Sequence, residues 1–478
     1  MTAPFVVVGA DAAGLSAASK YRRVDPDREV IVFEKGQWIS YAYCGMPYFI
    51  AGRIDQLSDL LSLSPAEADE RGIDLKRGHE VIAVNPDDGV VHIERGKDGE
   101  TIEQPYSDLL VATGGRASTG PFDVRDLDGA FTLHNMDAAA AIDAYIADSE
   151  SYSFDRVADT PVDRERIEYN AGQPAPETAA IVGGGYVGVE MAEALRERGL
   201  EVHLFQRSGH VLPPFGKPVA DRVETELAEQ GVTVHTNTPV AELRGEERIK
   251  AVSFDGGDDE IPVDLAIVGV GIQPNTELLD DTGIELGEGG AIRTDEYGRT
   301  NLDRVYAAGD CATARHTVTG EETWVPLGLT ANRGGRAIGA TVAGDETPVG
   351  DIAGTAVVKA FDMECGRVGL LDETAARKAG FDPVRKTITA GSRSGYYPGN
   401  AETDVTLVAD RETGKLLGGA IVGSDRAAVR INTLSTALDA GLTVPEVERL
   451  DLAYAPPFSP VWDPVLVAAK VLGGQLPD

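Results

Sequence analysis

The sequence predicts an α/β fold, because an apolar strand, a glycine-rich turn and a helix follow one another at two places in the chain. The first place is the apolar run 5–8, which leads into the turn 9–14. The second is the run 180–182, which leads into the sequence G-G-G-Y-V-G at 183–188. Such turns place a dinucleotide diphosphate at the N-terminus of the following helix, so we expect two Rossmann-like dinucleotide-binding domains. A new composition of apolar strands and a helix from about Thr347 predicts a C-terminal α+β domain.

The first unit has an acid, Asp11, where the usual turn has its middle glycine. The following strand, 30–34, ends in Glu34, at the distance along the chain at which an acid bonds a ribose hydroxyl. The residues predicted to hold a dinucleotide in this unit are Gly9, Ala10, Ala12, Ala13, Gly14 and Glu34.

The second unit has the complete glycine pattern, and its next strand, 201–205, ends in Gln206-Arg207 instead of an acid. Nothing there repels a 2′-phosphate, and an arginine is available to pair with it, so the sequence favours NADP(H) over NAD(H). The residues predicted to hold the nicotinamide cofactor are Gly183, Gly185, Tyr186, Val187, Gly188, Gln206, Arg207 and Gly271.

Three further apolar stretches end in small residues or an acid, namely 109–115, 265–271 and 301–310. Ligands of parallel sheets bind at the carboxyl ends of the strands, where the third stretch delivers Asp310. We predict that Asp310 accepts hydrogen bonds from a polyol chain such as ribityl; the alternative is a turn or helix-cap aspartate.

The segment 40–48, with the sequence S-Y-A-Y-C-G-M-P-Y, contains one cysteine ten residues after the first unit's second strand. Pro47 is typical of a first helical turn, which predicts that the thiol of Cys44 lies at a helix N-terminus. That setting lowers the pKa of a thiol and favours the thiolate. The alternative is a buried, inert cysteine, which is how we interpret Cys311 and Cys365.

The chain has a net charge of −35, and only 11 of its 43 basic residues are lysines. Acidic residues spread along the whole chain are typical of solvation in high salt, as in a halophile. This charge argues against a nucleic acid or an anionic membrane as partner.

We expect the thermal stability to rise steeply from low salt into the molar range of KCl. A chain at −35 repels itself unless cations screen it, and the Debye length falls from about 10 Å at 0.1 M to about 3 Å at 1 M. Melting temperatures across a KCl series measure this, and a flat series would contradict it.

Three cysteines cannot form a disulfide framework, and their number suits a reducing cytoplasm. No signal peptide precedes Phe5, and no run of 18 apolar residues exists. We therefore expect a soluble cytoplasmic protein, and we predict no metal site.

The sequence resembles the pyridine nucleotide-disulfide oxidoreductase family over nearly its whole length. The motifs that carry the resemblance are A-T-G at 112–114, G-G-G-Y-V-G at 183–188 and A-A-G-D at 307–310, in the family's order and spacing. The resemblance implies that FAD is held by 1–118 and 288–345, that NAD(P) is held by the inserted domain 119–287, and that 346–478 forms a homodimer. It adds Lys35, Val81, Thr113, Gly114 and Ala331 to the predicted cofactor contacts.

The two-cysteine members of this family carry C-x4-C and a C-terminal histidine, whereas this chain has Phe49 at the second cysteine position and its histidines end at His316. It resembles the single-cysteine branch, and most of all the coenzyme A-disulfide reductases, in the segment 40–48 and in Y-A-P-P-F-S at 454–459. Oxidases and peroxidases of this branch carry a histidine at the position of Ala12, and the reductases a lysine at the position of Trp462.

The resemblance also implies a substrate site. The predicted substrate contacts are Ser16, Lys20, Arg23, Ser40, Lys76 and His316. The first three share one helical face, whose positive charge suits the phosphates of coenzyme A. The alternative for this face is a solvated surface. Tyr454, and Tyr396 or Tyr397, are candidate proton donors that reach the cysteine of the partner subunit.

The stretch 148–178 is polar, contains three prolines and lies outside the resemblance, so it is predicted to be a linker or a surface insertion.

Taken together, the sequence predicts a reductase that passes electrons from NAD(P)H through FAD and Cys44 to coenzyme A disulfide. The alternatives are an NAD(P)H oxidase or peroxidase that uses a Cys44 sulfenate, a persulfide or polysulfide reductase, and a flavoprotein redox sensor without turnover.

Overall fold

The computed structural model describes residues 3–96, 99–122, 124, 127–147, 152–257 and 259–477. Its helices are α1 (Ala12–Val24), α2 (Met46–Ile50), α3 (Pro65–Glu70), α4 (Met136–Tyr145), α5 (Arg164–Ala171), α6 (Tyr186–Glu197), α7 (Lys217–Glu229), α8 (Gly328–Val342), α9 (Glu373–Lys378), α10 (Ala427–Asp439), α11 (Val444–Glu448) and α12 (Pro464–Gly473). Its strands are β1 (Phe5–Val8), β2 (Val30–Glu34), β3 (Asp74–Arg77), β4 (His79–Asn85), β5 (Val90–Arg95), β6 (Glu100–Pro105), β7 (Asp108–Val111), β8 (Gly115–Ala117), β9 (Ala130–Phe131), β10 (Thr178–Val182), β11 (Glu201–Phe205), β12 (Val232–His235), β13 (Val240–Gly245), β14 (Ile249–Phe254), β15 (Asp259–Pro262), β16 (Leu265–Val268), β17 (Ile272–Pro274), β18 (Val305–Ala307), β19 (Ala314–Arg315), β20 (Glu322–Thr323), β21 (Ala356–Ala360), β22 (Met363–Gly369), β23 (Pro383–Gly391), β24 (Glu402–Asp410) and β25 (Leu416–Gly423).

The first unit is a parallel sheet in the order β18-β7-β1-β2-β3. Every residue of β1 is buried, because parallel sheets are covered on both faces. On one face α1 packs against α8 so closely that a Cβ on Gly335 would lie 2.0 Å from the carbonyl oxygen of Ala13. On the other face lies the antiparallel sheet β4-β5-β6, whose apolar side chains share a core with β1.

The second unit is another parallel sheet, in the order β12-β11-β10-β16-β9. All of its strands lie in the sequence between β7 and β18, which are neighbours in the first sheet. The second unit is therefore inserted into the first, as predicted. The two parallel sheets confirm the predicted α/β class.

The stretch predicted to be a linker or a surface insertion contains two short helical elements and contributes apolar side chains to the core. Residues 148–151 lie outside the described residues, but a 3-10 turn at Phe154–Val157 and helix α5 follow them. Val157 and Ile167 are 1% and 2% exposed and join the core that contains α4. Two buried apolar side chains thus fix this part to the domain, which does not suit a free linker; the alternative, a surface insertion, stays a prediction.

The C-terminal region is an antiparallel sheet in the order β21-β22-β25-β24-β23 with helices packed on it. Strands β21, β24 and β25 and helix α10 are the apolar strands and the helix that the sequence predicts for this region. Strands β22 and β23 were not predicted, because β22 carries two glycines and β23 is largely half-buried. Within the described ranges, no helix is both long and apolar enough to cross a membrane.

Candidate functional site

The two glycine turns have the same geometry. Gly9 has φ +104°, and a Cβ there would lie 2.2 Å from the carbonyl oxygen of Ala112. Gly183 has φ +111°, and a Cβ there would lie 2.3 Å from the carbonyl oxygen of Gly269. Each turn thus presses against the strand that closes its unit, and only glycine fits. The replacement of a glycine by Asp11 does not disturb this packing.

The helices after both turns keep their N-terminal N–H groups free of side-chain caps. The N-cap residues are Asp11 for α1, whose carboxyl group does not cap the second or third N–H of the helix, and Gly185 for α6, which has no side chain. Uncapped helix N-termini carry partial positive charge and unpaired donors. Both turns are therefore suited to bind a diphosphate.

The side chains at the ends of the second strands occupy equivalent places. Glu34 accepts hydrogen bonds from the N–H of Ala10 at 3.0 Å and of Gly36 at 2.7 Å. Gln206 accepts one from the N–H of Gly184 at 3.0 Å, and its amide nitrogen donates to the Ser208 hydroxyl at 2.5 Å. Gln206 is 8% exposed, so Arg207, which is exposed, is the member of this pair that faces solvent.

Asp310 follows β18 at the carboxyl edge of the first sheet. Burial raises the pKa of its carboxyl group to about 6. Among the described residues its carboxylate has no hydrogen-bond donor, while its backbone oxygen accepts from Trp324 Nε1 at 2.9 Å. A carboxylate left without a donor at this edge fits the polyol of a flavin dinucleotide, and the uncapped α1 and Glu34 fit the diphosphate and the ribose. The residues present thus fit FAD.

The other predicted cofactor contacts of the first unit lie on several elements. Thr113 is fixed by Asn275, to whose carbonyl oxygen its hydroxyl donates at 2.5 Å. Gly114 follows with φ +63°. Val81 and Ala331 are buried, on β4 and α8, whereas Lys35 is exposed.

Cys44 is exposed in the single subunit, unlike Cys311 and Cys365, which are buried. It lies in a 3-10 turn, Tyr43–Gly45, directly before α2. Although part of this side chain is exposed, the surrounding protein shields the thiol from water and thereby raises its pKa, and the carboxylates of Glu190 and Asp310 raise that pKa further. The prediction of a lowered pKa is wrong for this chain, because α2 has five residues and the nearby charges are negative.

Glu190, which the sequence reasoning missed, acts on Cys44 from the other unit. It lies on α6, the helix after the second glycine turn. Burial, and then the charge of Glu193, raise the pKa of its carboxyl group to about 7. The spacing of Glu190, Glu193 and Glu197, which share one face of α6, was the signal in the sequence.

The helix that follows Cys44 is held at its C-terminal end by two arginines. Arg156 Nη2 donates to the carbonyl oxygen of Phe49 at 2.7 Å, and Arg198 Nη1 donates to that of Ile50 at 3.0 Å. Both arginines also bond the carboxylate of Asp143, which is 0% exposed: Arg156 Nε at 2.7 Å and Arg198 Nη1 at 3.0 Å. Arg156, from the stretch predicted to be a linker or a surface insertion, thus fixes α2, the cysteine helix that follows Cys44.

The predicted substrate contacts on α1 lie on its outer face. Ser16 donates to Asn332 Oδ1 at 2.7 Å, and Arg23 Nε donates to the carbonyl oxygen of Ser19 at 3.1 Å. Lys20 is half-buried and Arg23 exposed, whereas Tyr21 between them is buried. The shared face is as predicted, and its role stays a prediction.

The remaining predicted substrate contacts each make bonds to other residues of the chain. Lys76 pairs with Asp74 at 2.8 Å. Ser40 has φ +44°, and its backbone bonds Ala10 and Ser62. His316 is 7% exposed, and its Nδ1 accepts from the N–H of Val318.

Burial lowers the pKa of His316, and the charge of Arg367 lowers it further. The role of His316 as a substrate contact stays a prediction.

The candidate tyrosines lie on the C-terminal domain, and they are not among the groups whose charge shifts the pKa of Cys44 in its own subunit. Tyr396 is 81% and Tyr454 60% exposed, while Tyr397 is half-buried. Near Tyr454, the side chains of Phe458, Val461 and Trp462 are each more than half exposed. Residues 454–462 therefore form an apolar surface on the single subunit.

A family model for pyridine nucleotide-disulphide oxidoreductases matches residues 3–333, and the model of that family's dimerisation domain matches residues 355–464. The chain belongs to the pyridine nucleotide-disulphide oxidoreductase family. As a member of this FAD-dependent family, it is a flavoprotein of the oxidoreductase class.

Curated relatives cover nearly the whole chain. It is 39% identical over 470 residues to a protein of Pyrococcus horikoshii named NAD(P)H coenzyme A polysulfide/persulfide reductase, covering 98% of each chain. It is 31% identical over 456 residues to the coenzyme A disulfide reductase of Staphylococcus haemolyticus, covering 95% of this chain and 96% of the relative.

A solved structure has the same fold. The crystal structure of reduced Bacillus anthracis CoADR-RHD superposes with a TM-score of 0.90 at 30% identity, covering 99% of this chain and 80% of that one. The chain is thus similar in sequence to the two curated relatives and in fold to this crystal structure.

Proposed function

We propose that the protein is an NAD(P)H-dependent flavoprotein reductase of coenzyme A disulfide that uses Cys44 as its redox thiol. The observation that carries the proposal is the placement of Cys44. Of the three cysteines it alone is exposed, and the charges of Asp310 from the first unit and of Glu190 from the second both act on its thiol. A thiol between two dinucleotide-binding units is placed to exchange electrons with them.

FAD would be held by the first glycine turn, by Glu34 and by Asp310, and the nicotinamide cofactor by the second turn with Gln206 and Arg207. When bound, FAD supplies transfer of an electron pair between the nicotinamide and sulfur. The chain itself positions the thiol: Arg156 and Arg198 hold the helix that follows Cys44.

Cys44 performs the sulfur chemistry by thiol–disulfide exchange. Its thiolate attacks one sulfur of coenzyme A disulfide, which forms a mixed disulfide with Cys44 and releases one coenzyme A thiolate. Two electrons, which bound FAD would supply, and one proton then convert the mixed disulfide into the second coenzyme A thiol and the Cys44 thiolate. Because burial raises the pKa of Cys44, the first step is expected to accelerate as pH rises towards that pKa.

On this proposal, residues of α1 bind the substrate, and tyrosines of one subunit assist the cysteine of the other. Lys20 and Arg23 on the outer face of α1 offer positive charge to the phosphates of coenzyme A. The exposed Tyr396 and Tyr454 lie on the region matched by the dimerisation model, so in a homodimer they would serve the cysteine of the partner subunit.

Reduction of a persulfide or polysulfide is the second candidate, favoured by the 39% identity with the polysulfide/persulfide reductase of Pyrococcus horikoshii. Turnover of NADPH with coenzyme A disulfide, glutathione disulfide, polysulfide and oxygen, measured side by side, tests both. Fastest turnover of coenzyme A disulfide supports the first candidate, and fastest turnover of polysulfide supports the second. Turnover of oxygen alone, or no turnover at all, would contradict both.

We expect a lower KM for NADPH than for NADH, and we expect Arg207→Ala to narrow that difference by about ten- to a hundredfold. The reason is that one charge-assisted hydrogen bond to the 2′-phosphate contributes about 1.5 to 3 kcal/mol. Steady-state kinetics with both cofactors at low salt measure the difference, because salt screens an exposed arginine.

The matched control for this prediction is Arg166→Ala, which removes another exposed arginine of the inserted domain. It should leave the ratio of the two KM values unchanged. Equal kinetics with NADPH and NADH in the wild type would show that Arg207 does not contact the cofactor.

A further inference from the structure

Asp11, the acid in the first glycine turn, does not cap its helix in the way an N-cap aspartate ordinarily does. Asp11 is the N-cap residue of α1, where an aspartate normally accepts a hydrogen bond from the second or third N–H of the helix. Asp11 makes no such bond. The N–H groups of Ala13 and Gly14 thus remain available to an anion, whereas that of Ala12 bonds the carboxyl group of Asp11.

The carboxyl group of Asp11 is directed to the segment 40–48, the cysteine segment, which carries Cys44. Its Oδ1 accepts a hydrogen bond from the N–H of Tyr41 at 3.2 Å, three residues before Cys44. The neighbouring Ser40 N–H donates to the carbonyl oxygen of Ala10 at 3.0 Å. The hydroxyls of Tyr41 and Tyr43 bond each other at 2.9 Å. Asp11 thus joins the phosphate-binding turn to the segment that carries the thiol.

The groups that act on this carboxyl are neutral or negative. Glu34 faces it from the end of β2, Tyr41 and Tyr43 face it from the cysteine segment, and Asp310 acts on Tyr43 from the end of β18. Burial raises the pKa of Asp11 to about 7, and the charge of Glu34 contributes in the same direction against the hydrogen bonds from Tyr43 and Tyr41. The N–H of Ala12 also bonds it and lowers the pKa, and among the described residues the groups that shift it include no cation.

A dinucleotide bound in this turn would bring the negative charge of its diphosphate to the same helix N-terminus. Like charges at close range disfavour the ionised form of a carboxyl group. An ionised Asp11 would therefore oppose the diphosphate, whereas a protonated Asp11 carries no charge and gains a donor.

We propose that Asp11 is a further FAD-binding residue of this chain, and that it holds a proton whenever FAD is bound. This inference rests on the assignment of the first unit to FAD under the proposed function. At alkaline pH the carboxyl group is ionised in the free protein and takes up one proton from solvent as FAD binds. FAD affinity then falls as pH rises, whatever the sulfur substrate of the enzyme.

The test measures release of FAD from the holoenzyme. The protein is diluted in a series at fixed ionic strength between pH 6 and 9, and the released flavin is read by its fluorescence. The wild type should show a dissociation constant that is constant below about pH 7 and rises by up to tenfold per pH unit above it. A dissociation constant that stays constant between pH 7 and 9 would overturn the proposal without any variant.

Two variants assign the effect to Asp11. Asp11→Asn keeps the shape and a donor but cannot ionise, so its dissociation constant should stay constant across the range. Asp303→Asn, which removes an acid of the same unit with a side chain 93% exposed, should keep the wild-type slope.

A slope that persists in Asp11→Asn, or a folded Asp11→Asn that holds no FAD at any pH, would overturn the proposal. These measurements are independent of turnover. Failure of coenzyme A disulfide reduction alone therefore leaves the proposal standing, whereas a wild-type protein without bound flavin removes the proposed function as well.

Discussion

The Cys44→Ser variant is expected to keep its flavin and to lose reduction of coenzyme A disulfide by more than about a thousandfold. Serine preserves the size of the side chain, and Cys44 is exposed, so folding and flavin binding should be unaffected. The hydroxyl cannot form a disulfide with the substrate, so the exchange step is removed. Absorbance of the bound flavin and NADPH turnover with coenzyme A disulfide measure the two properties.

The control for this variant is Cys311→Ser. The thiol of Cys311 is buried and lies within 3.5 Å of the carbonyl oxygens of Val111 and Ala308, so a serine there retains acceptors. It should keep turnover. A Cys44→Ser variant that still reduces coenzyme A disulfide would contradict the proposed role of the thiol, whereas loss of activity in both variants would point to the fold.

Much of the fold was predictable from local sequence. The strands 30–34 and 201–205 have the bounds that the apolar runs indicate, and both glycine turns begin helices where expected. These elements were predictable because a parallel strand buried on both faces is a continuous apolar run bounded by turn residues. The predicted strand 301–310 is shorter in the structure, Val305–Ala307, since Arg304 before it has φ +56°.

What the sequence did not reveal depends on contacts between distant residues. Helix α5 is largely polar, and its position is decided by Ile167 and by the preceding Val157, which do not form a periodic pattern. Glu190 acts on Cys44 across 146 positions of the chain. The local pattern around Cys44 predicted the wrong direction for its pKa, because the acids that determine it come from elsewhere in the fold.

The largest effect on stability is expected at Asp143, which connects the segment around Arg156 with the end of the cysteine helix. Its carboxylate is 0% exposed, and the side chains of Arg156 and Arg198 are 20% and 23% exposed. Removing one partner of a buried ion pair leaves the other charges uncompensated, which costs about 3 to 5 kcal/mol. Asp143→Ala should therefore lower the free energy of unfolding by about that amount, measured by urea denaturation of the holoenzyme.

A matched control separates burial from mere pairing. Asp221→Ala removes an ion pair with Lys217 at 2.6 Å whose side chains are 54% and 70% exposed, and exposed pairs contribute about 0 to 1 kcal/mol. If the two variants differ by less than about 1 kcal/mol, the buried cluster does not stabilise the fold as its geometry indicates. If Asp143→Ala is strongly destabilised, the segment around Arg156 holds the cysteine helix α2 in place, although that segment has no recognisable pattern in the sequence. The contacts that do so are those of Arg156 with Asp143 and with the carbonyl oxygen of Phe49.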